Sequence, residues 1–149
     1  MLSKNLESII AQLEELTRSL FPEILKIYQN PNSGAQEKKD GSPVTAADMH
    51  AHKVIVNFLE SHFPDIPIVS EESFQQKNYR PAKEFWIIDP IDGTKEFVNK
   101  SDEFTTNIAL IQNGKPFIGV VGAPAFDKVW SGIANQSVNN ICLLYTSDA

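Results

Sequence analysis

The chain has 149 residues, 42% of them apolar and 21% charged, a balance that belongs to a soluble globular domain and excludes a disordered or fibrous polypeptide. Thirteen Lys and Arg stand against 19 Asp and Glu, for a formal net charge of −6. That sign opposes the counterion release on which nucleic-acid polymers bind, yet it admits a small phosphorylated ligand bridged by cations. Cys142 is the only cysteine, which excludes an intrachain disulfide and a thiolate metal cluster.

Nine Phe and two Trp give bulk for one core, since a domain of about 150 residues buries roughly 70% of its unfolded surface. The N-terminal stretch MLSKNLESII carries Glu7 and lacks the uncharged core and small-residue cleavage site of a signal peptide. No run reaches the length of a transmembrane segment, so a cytoplasmic location is expected.

Taken in chain order, Ile9, Leu13, Leu16, Leu20, Ile24 and Ile27 recur at steps of three and four and predict one face of a helix. Pro22 predicts a kink or restart near Phe21, because proline removes a mid-helix N–H and clashes with the preceding turn. Residues 30–43, NPNSGAQEKKDGSP, read as a long polar loop able to act as a lid. A second helix is expected from about Ala46, where Thr45 and Asp48 resemble a capping box and Ala51, Val54, Ile55, Phe58, Leu59 and Phe63 keep helical spacing. The sequence Phe63-Pro64-Asp65 ends it.

Residues 66–69 predict a short strand that delivers Ser70, Glu71 and Glu72 beyond its C-terminal end. Residues 84–89, EFWIID, repeat that arrangement: bulky strand residues ending in an acid, followed by Pro90. The segments 107–112 and 115–121 flank Asn113-Gly114 and predict a β-hairpin, with Gly119 and Gly122 at bulge or close-approach positions. A strand over 129–134 follows. The terminal ICLLYTSDA shows no clear continuation of the sheet.

The informative stretch is WIIDPIDGT, residues 86–94, where Asp89 and Asp92 flank a proline turn leading through Gly93 into a helix at Thr94. Two neighbouring carboxylates repel, and the common compensation is one or two hard divalent cations, with Mg²⁺ matching an oxygen-only donor set. A helix starting after Gly93 would also aim free N–H groups at a phosphate. Read alone, Asp92-Gly93 equally fits a plain turn and Asp89 a strand-end cap. Glu71 at a second strand end and Asp48 at a helix start favour the metal-site reading. Asp48 also fits a capping role, while Glu72, Lys38, Lys39 and Asp40 read as solvated charges. His50 and His52 diverge by about 200° on a helix and do not make a zinc site.

Four ordered stretches, DGSPVTAAD (40–48), IPIVSEES (66–73), WIIDPIDGTKEF (86–97) and FTTNIALIQNGKPFIGVVGAPA (104–125), resemble the Mg²⁺-dependent, lithium-sensitive inositol-monophosphatase-like phosphatases. SPVTAAD with DGTKEF resembles the 3′(2′),5′-bisphosphate nucleotidase (CysQ-like) branch, and that resemblance implies a role in sulfur assimilation. The resemblance implies an α+β fold, a layered αβαβα sandwich of which only the N-terminal half is present: two helices packed on a mostly antiparallel sheet. It implies two or more Mg²⁺ ions, with Glu71, Asp89 and the Ile91 carbonyl around one, and Asp89 and Asp92 at a second. Thr94, Asp48 and Glu71 would be catalytic, the Thr94 hydroxyl and Asp48 orienting the attacking water. Glu71, Asp92, Gly93 and Thr94 would meet the substrate, 3′-phosphoadenosine 5′-phosphate, which is hydrolysed to AMP and phosphate. No covalent intermediate is implied.

Family members are longer and carry a further Asp in a Trp-Asp motif of their second half. Here Trp130 is followed by Ser131. The expected organisation is therefore a metal-binding domain over 1–134, lacking a complete second-metal site, and an atypical tail over 135–149 that reads as sequence appended to a truncated frame. An inositol monophosphatase, a sugar-bisphosphate phosphatase and a non-catalytic metal- or phosphoester-binding module stay open as alternatives.

Overall fold

A computed structural model describes residues 5–30, 43–69 and 82–134, together with the backbone of Ile141–Asp148. Helix α1 spans Leu6–Tyr28 and α2 spans Pro43–His62. They are followed by β1 (Ile68–Val69), β2 (Glu84–Asp92), the short helix α3 (Thr94–Val98), β3 (Thr105–Gln112), β4 (Lys115–Ala123), a 3₁₀ turn (Pro124–Phe126), β5 (Lys128–Ala134) and β6 (Ile141–Asp148). The six strands lie side by side in sequence order. β1 runs parallel to β2, and every later pair is antiparallel. This is the two-helix, mostly antiparallel α+β arrangement expected.

Period-three-and-four spacing buries Ile9, Leu13, Leu16, Leu20 and Ile24 of α1, while Ile27 is only half-buried and Tyr28 takes the last inward position. Pro22 neither restarts nor divides the helix. It lies exposed on the outer face, where water can meet the carbonyl that loses its N–H partner. α2 begins three residues earlier than expected, with Pro43 as its first residue, a position where a missing N–H costs no helical bond. Thr45 consequently lies inside the helix and is not its N-cap. Val44, Ala47, Ala51, Ile55 and Leu59 form its buried stripe, and both helices pack on the sheet.

Across the sheet, Trp86 pairs with Leu110, which pairs with Ile118; Ile88 pairs with Ile108, which pairs with Val120. All six are buried in one core with the helices. Each aliphatic side chain so buried contributes about 1.5–3 kcal/mol. The β3–β4 hairpin turns on Asn113 (φ 50°) and Gly114 (φ 75°), the pair of positive φ values that a two-residue turn matching strand twist requires. Its bulge falls at Phe117, since Leu110 pairs with Ile118 and Ile111 with Pro116; neither glycine forms it. Gly122 is instead a close approach to α1, whereas a Cβ at Gly119 would meet open space. The backbone of β6 pairs with β5 from Lys128–Asp148 to Ala134–Ile141, so the sheet continues where the sequence showed no sign of it.

Candidate functional site

Strand β2 runs past Asp89 to Asp92 without the expected proline turn. Asp89 pairs with Asn107 and Asp92 with Thr105, so three steps on β2 oppose two on β3. The extra residue makes a bulge, and Pro90 sits in it. A strand alternates faces every residue, so an unbulged chain would send Asp89 and Asp92 to opposite sides. The bulge re-aims one of them. Both acids are exposed, while Pro90 and Ile91 between them are buried.

Proline suits this position because a bulge leaves one residue unpaired and so needs no N–H there. The freed carbonyl of Pro90 is met by the Thr106 hydroxyl, which donates to it at 2.8 Å from a fully buried position. Asn107 extends the support: its Nδ2 donates to Asp92 Oδ2 at 3.3 Å. Neither Thr106 nor Asn107 was singled out individually from the sequence. Their signal was present in the FTTN stretch, where alternation marks Thr106 as inward and Asn107 as outward.

Gly93 follows at φ 86°, ψ 50° as the N-cap of α3, in a left-handed conformation that favours glycine. A Cβ there would also lie 3.0 Å from the Glu103 carbonyl oxygen and 3.3 Å from Phe104 Cα. The Gly93 carbonyl accepts the Phe97 N–H at 2.9 Å and closes the helix. Thr94 is the first residue of α3 and is half-buried. Asp48 lies half-buried in the second turn of α2, the helix that packs against β2 and reaches α3.

The structure thus brings Asp89, Ile91, Asp92, Gly93 and Thr94 to one strand-to-helix corner, with Asp48 on the adjoining helix. Glu71, Glu72, Lys38, Lys39 and Asp40 lie outside the described residues. Among the described residues no three His, Cys, Asp or Glu side chains converge as a metal-binding group. Among the described residues the corner offers two exposed carboxylates and backbone oxygen, with no sulfur or imidazole. That donor chemistry fits a hard cation such as Mg²⁺.

The profile of the inositol monophosphatase family matches residues 5–147, and the chain belongs to that family. Among curated relatives it is 39% identical over 136 residues to the 3′(2′),5′-bisphosphate nucleotidase CysQ of Escherichia coli (strain K12), covering 90% of this chain and 55% of that protein. It is 41% identical over 125 residues to the nucleotidase CysQ of Buchnera aphidicola, covering 83% of this chain and 47% of that protein. Among solved structures, CysQ from Bacteroides thetaiotaomicron superposes with a TM-score of 0.71 at 32% identity, over 96% of this chain and 51% of that one. Inositol monophosphatase from Anabaena gives 0.69 at 26% identity, over 89% and 46%. The chain spans about half the length of the curated relatives it matches.

Proposed function

We propose that this chain carries one part of the active site of a Mg²⁺-dependent 3′(2′),5′-bisphosphate nucleotidase that hydrolyses 3′-phosphoadenosine 5′-phosphate to AMP and phosphate. The observation that carries the reading is the Pro90 bulge, which turns Asp89 and Asp92 outward beside the Gly93 corner. In this reading Glu71, Asp89 and the Ile91 carbonyl hold one ion, and Asp89 and Asp92 a second. The parallel register supports Glu71: Val69 pairs with Ile87, and Glu71 follows Val69 by the two residues that separate Asp89 from Ile87. Magnesium bound there supplies the positive charge that offsets clustered carboxylates and phosphoryl oxygens.

The chain's own groups do the rest. The N–H groups of Gly93 and Thr94 face the phosphate, where backbone donors recognise an anion without adding charge. Asp92 and Glu71 would lie beside the same group as holders of the cations. The Thr94 hydroxyl and Asp48 orient the attacking water, and the Asp48 carboxylate takes its proton, so hydrolysis proceeds by direct in-line displacement. Residues 1–134 would form the metal-binding unit, and the activity would be lithium-sensitive. The reaction belongs to sulfur assimilation in the cytoplasm.

The test replaces the corresponding half of the Escherichia coli relative with residues 1–134 and measures phosphate release from 3′-phosphoadenosine 5′-phosphate. Release should require Mg²⁺ and should exceed that from inositol 1-phosphate and fructose 1,6-bisphosphate. Asp89→Asn should lower it by more than the roughly 10–100-fold that loss of an outer partner of a metal ligand costs. Release indifferent to Mg²⁺ or to Asp89→Asn would reject the reading, and a preference for either other substrate would move the chain to another branch.

A further inference from the structure

Tyr28, the last residue of α1, is buried, and its hydroxyl, carbonyl and ring engage α3 and the turn that follows it. Its hydroxyl donates to Asp102 Oδ1 at 2.5 Å and accepts the Asp102 N–H at 3.1 Å. Its carbonyl accepts the Lys100 ammonium, which also lies 4.6 Å from the ring centroid. The ring packs on Phe97 at 5.1 Å and Phe104 at 4.7 Å, and those two meet edge-on at 4.9 Å. Within this turn Lys100 (φ 59°) and Asp102 (φ 66°) adopt left-handed backbone, which non-glycine residues keep only where surrounding contacts over-determine it. The same turn abuts the catalytic corner, because Glu103 and Phe104 are the backbone that a Cβ on Gly93 would strike.

We propose that Tyr28 is a positioning residue: by clamping Asp102 and Phe104 it presses the turn over 99–104 against Gly93 and so sets where the Gly93 and Thr94 N–H groups point. The inference rests on the proposed role of those two amides in holding phosphate. In this role Tyr28 acts through the turn and not by contact with substrate or metal. It transmits the position of the long α1 helix, anchored in the core, to a five-residue helix too short to hold itself in place.

The experiment uses the ¹⁵N-labelled chain and its Tyr28→Phe variant, which keeps the ring contacts. Inorganic phosphate is titrated at saturating Mg²⁺, Mg²⁺ is titrated alone, and amide exchange is followed. In the variant the phosphate midpoint read at the Gly93 and Thr94 amides should rise about fivefold, the factor for one amide–phosphate hydrogen bond lost at the displaced corner, while the midpoint for Mg²⁺ alone moves less than about twofold. An unmoved phosphate midpoint, or both midpoints moving together, overturns the proposal. If the unsubstituted chain shows no phosphate response, the phosphate reading itself fails. Exchange at the Phe97 amide, which closes α3 on Gly93, then decides the clamp: about tenfold faster in the variant with Leu20 unchanged supports it, and equal rates overturn it.

Discussion

Gly122→Ala probes a close approach between α1 and the sheet. Gly122 is buried on β4, and a methyl there would lie 2.4 Å from Thr17 Cγ2 and 2.9 and 3.1 Å from two Phe21 ring atoms, whereas carbons pack comfortably at about 3.5–4.0 Å. Thr17 cannot swing aside freely, being fully buried with its hydroxyl donating to the Leu13 carbonyl at 2.7 Å. The helix must lift from β4 instead. Overpacking of this kind costs about 1–3 kcal/mol, and alanine returns about 0.4–1 kcal/mol by restricting the unfolded chain. The net loss of about 1–2 kcal/mol should lower Tm by about 2–8 °C in a domain of this size. Thr17→Ser removes the nearest clashing atom and by itself costs about 1 kcal/mol. The double variant should then be more stable than the sum of the singles by about 1 kcal/mol. Urea unfolding followed by far-UV circular dichroism gives all four corners of the cycle. Effects that add to within about 0.3 kcal/mol would show that the methyl and Thr17 never meet, and the close approach would be wrong.

Gly93→Ala should destabilise by about 1–3 kcal/mol through its positive φ and the Glu103 carbonyl, and in the hybrid enzyme should suppress phosphate release; unchanged unfolding in urea counts against the corner described. Thr106→Val strands the buried Pro90 carbonyl and should cost about 1–3 kcal/mol while weakening Mg²⁺ binding by calorimetry, because the bulge that aims Asp89 and Asp92 loosens. A loss of stability with Mg²⁺ affinity intact would separate the bulge from the metal. For Tyr28, burial first and the Asp102 carboxylate next raise the hydroxyl above 10.0. The folded state therefore keeps this proton to higher pH than the unfolded state, so its contribution is whole below pH 10 and falls as pH rises through the folded value. Burial lowers Lys100 below 10.5, an opposite trend that both proteins share. The difference in unfolding free energy between the chain and Tyr28→Phe should stay level up to pH 10 and narrow above it; a difference that widens contradicts the burial of the phenol.

Much of the site was legible because its residues are neighbours in sequence. Asp89, Ile91, Asp92, Gly93 and Thr94 span six positions, and any strand-to-helix passage through them must keep them together. The hairpin was legible for the same reason, since Asn113-Gly114 specifies its own turn. What misled was proline. Pro22 reads as a helix breaker, and Pro90 as a turn, because local rules count the missing N–H without knowing whether water or a bulge makes it harmless.

The order of residues alone shows which faces of α1 and α2 are apolar, where the hairpin turns, that acids cluster after a strand, and which family these motifs resemble. These are properties of short windows, set by periodicity and by the conformations individual residues accept. That Asp89 and Asp92 emerge on an exposed corner follows from strand pairing, because a bulge is defined by counting β2 against β3, and that count does not exist in β2 alone. The same holds for the clamp of Tyr28 on Asp102, 74 residues away, and for β6, whose pairing with β5 is a relation between strands. Periodicity within one segment cannot encode which other segment completes it.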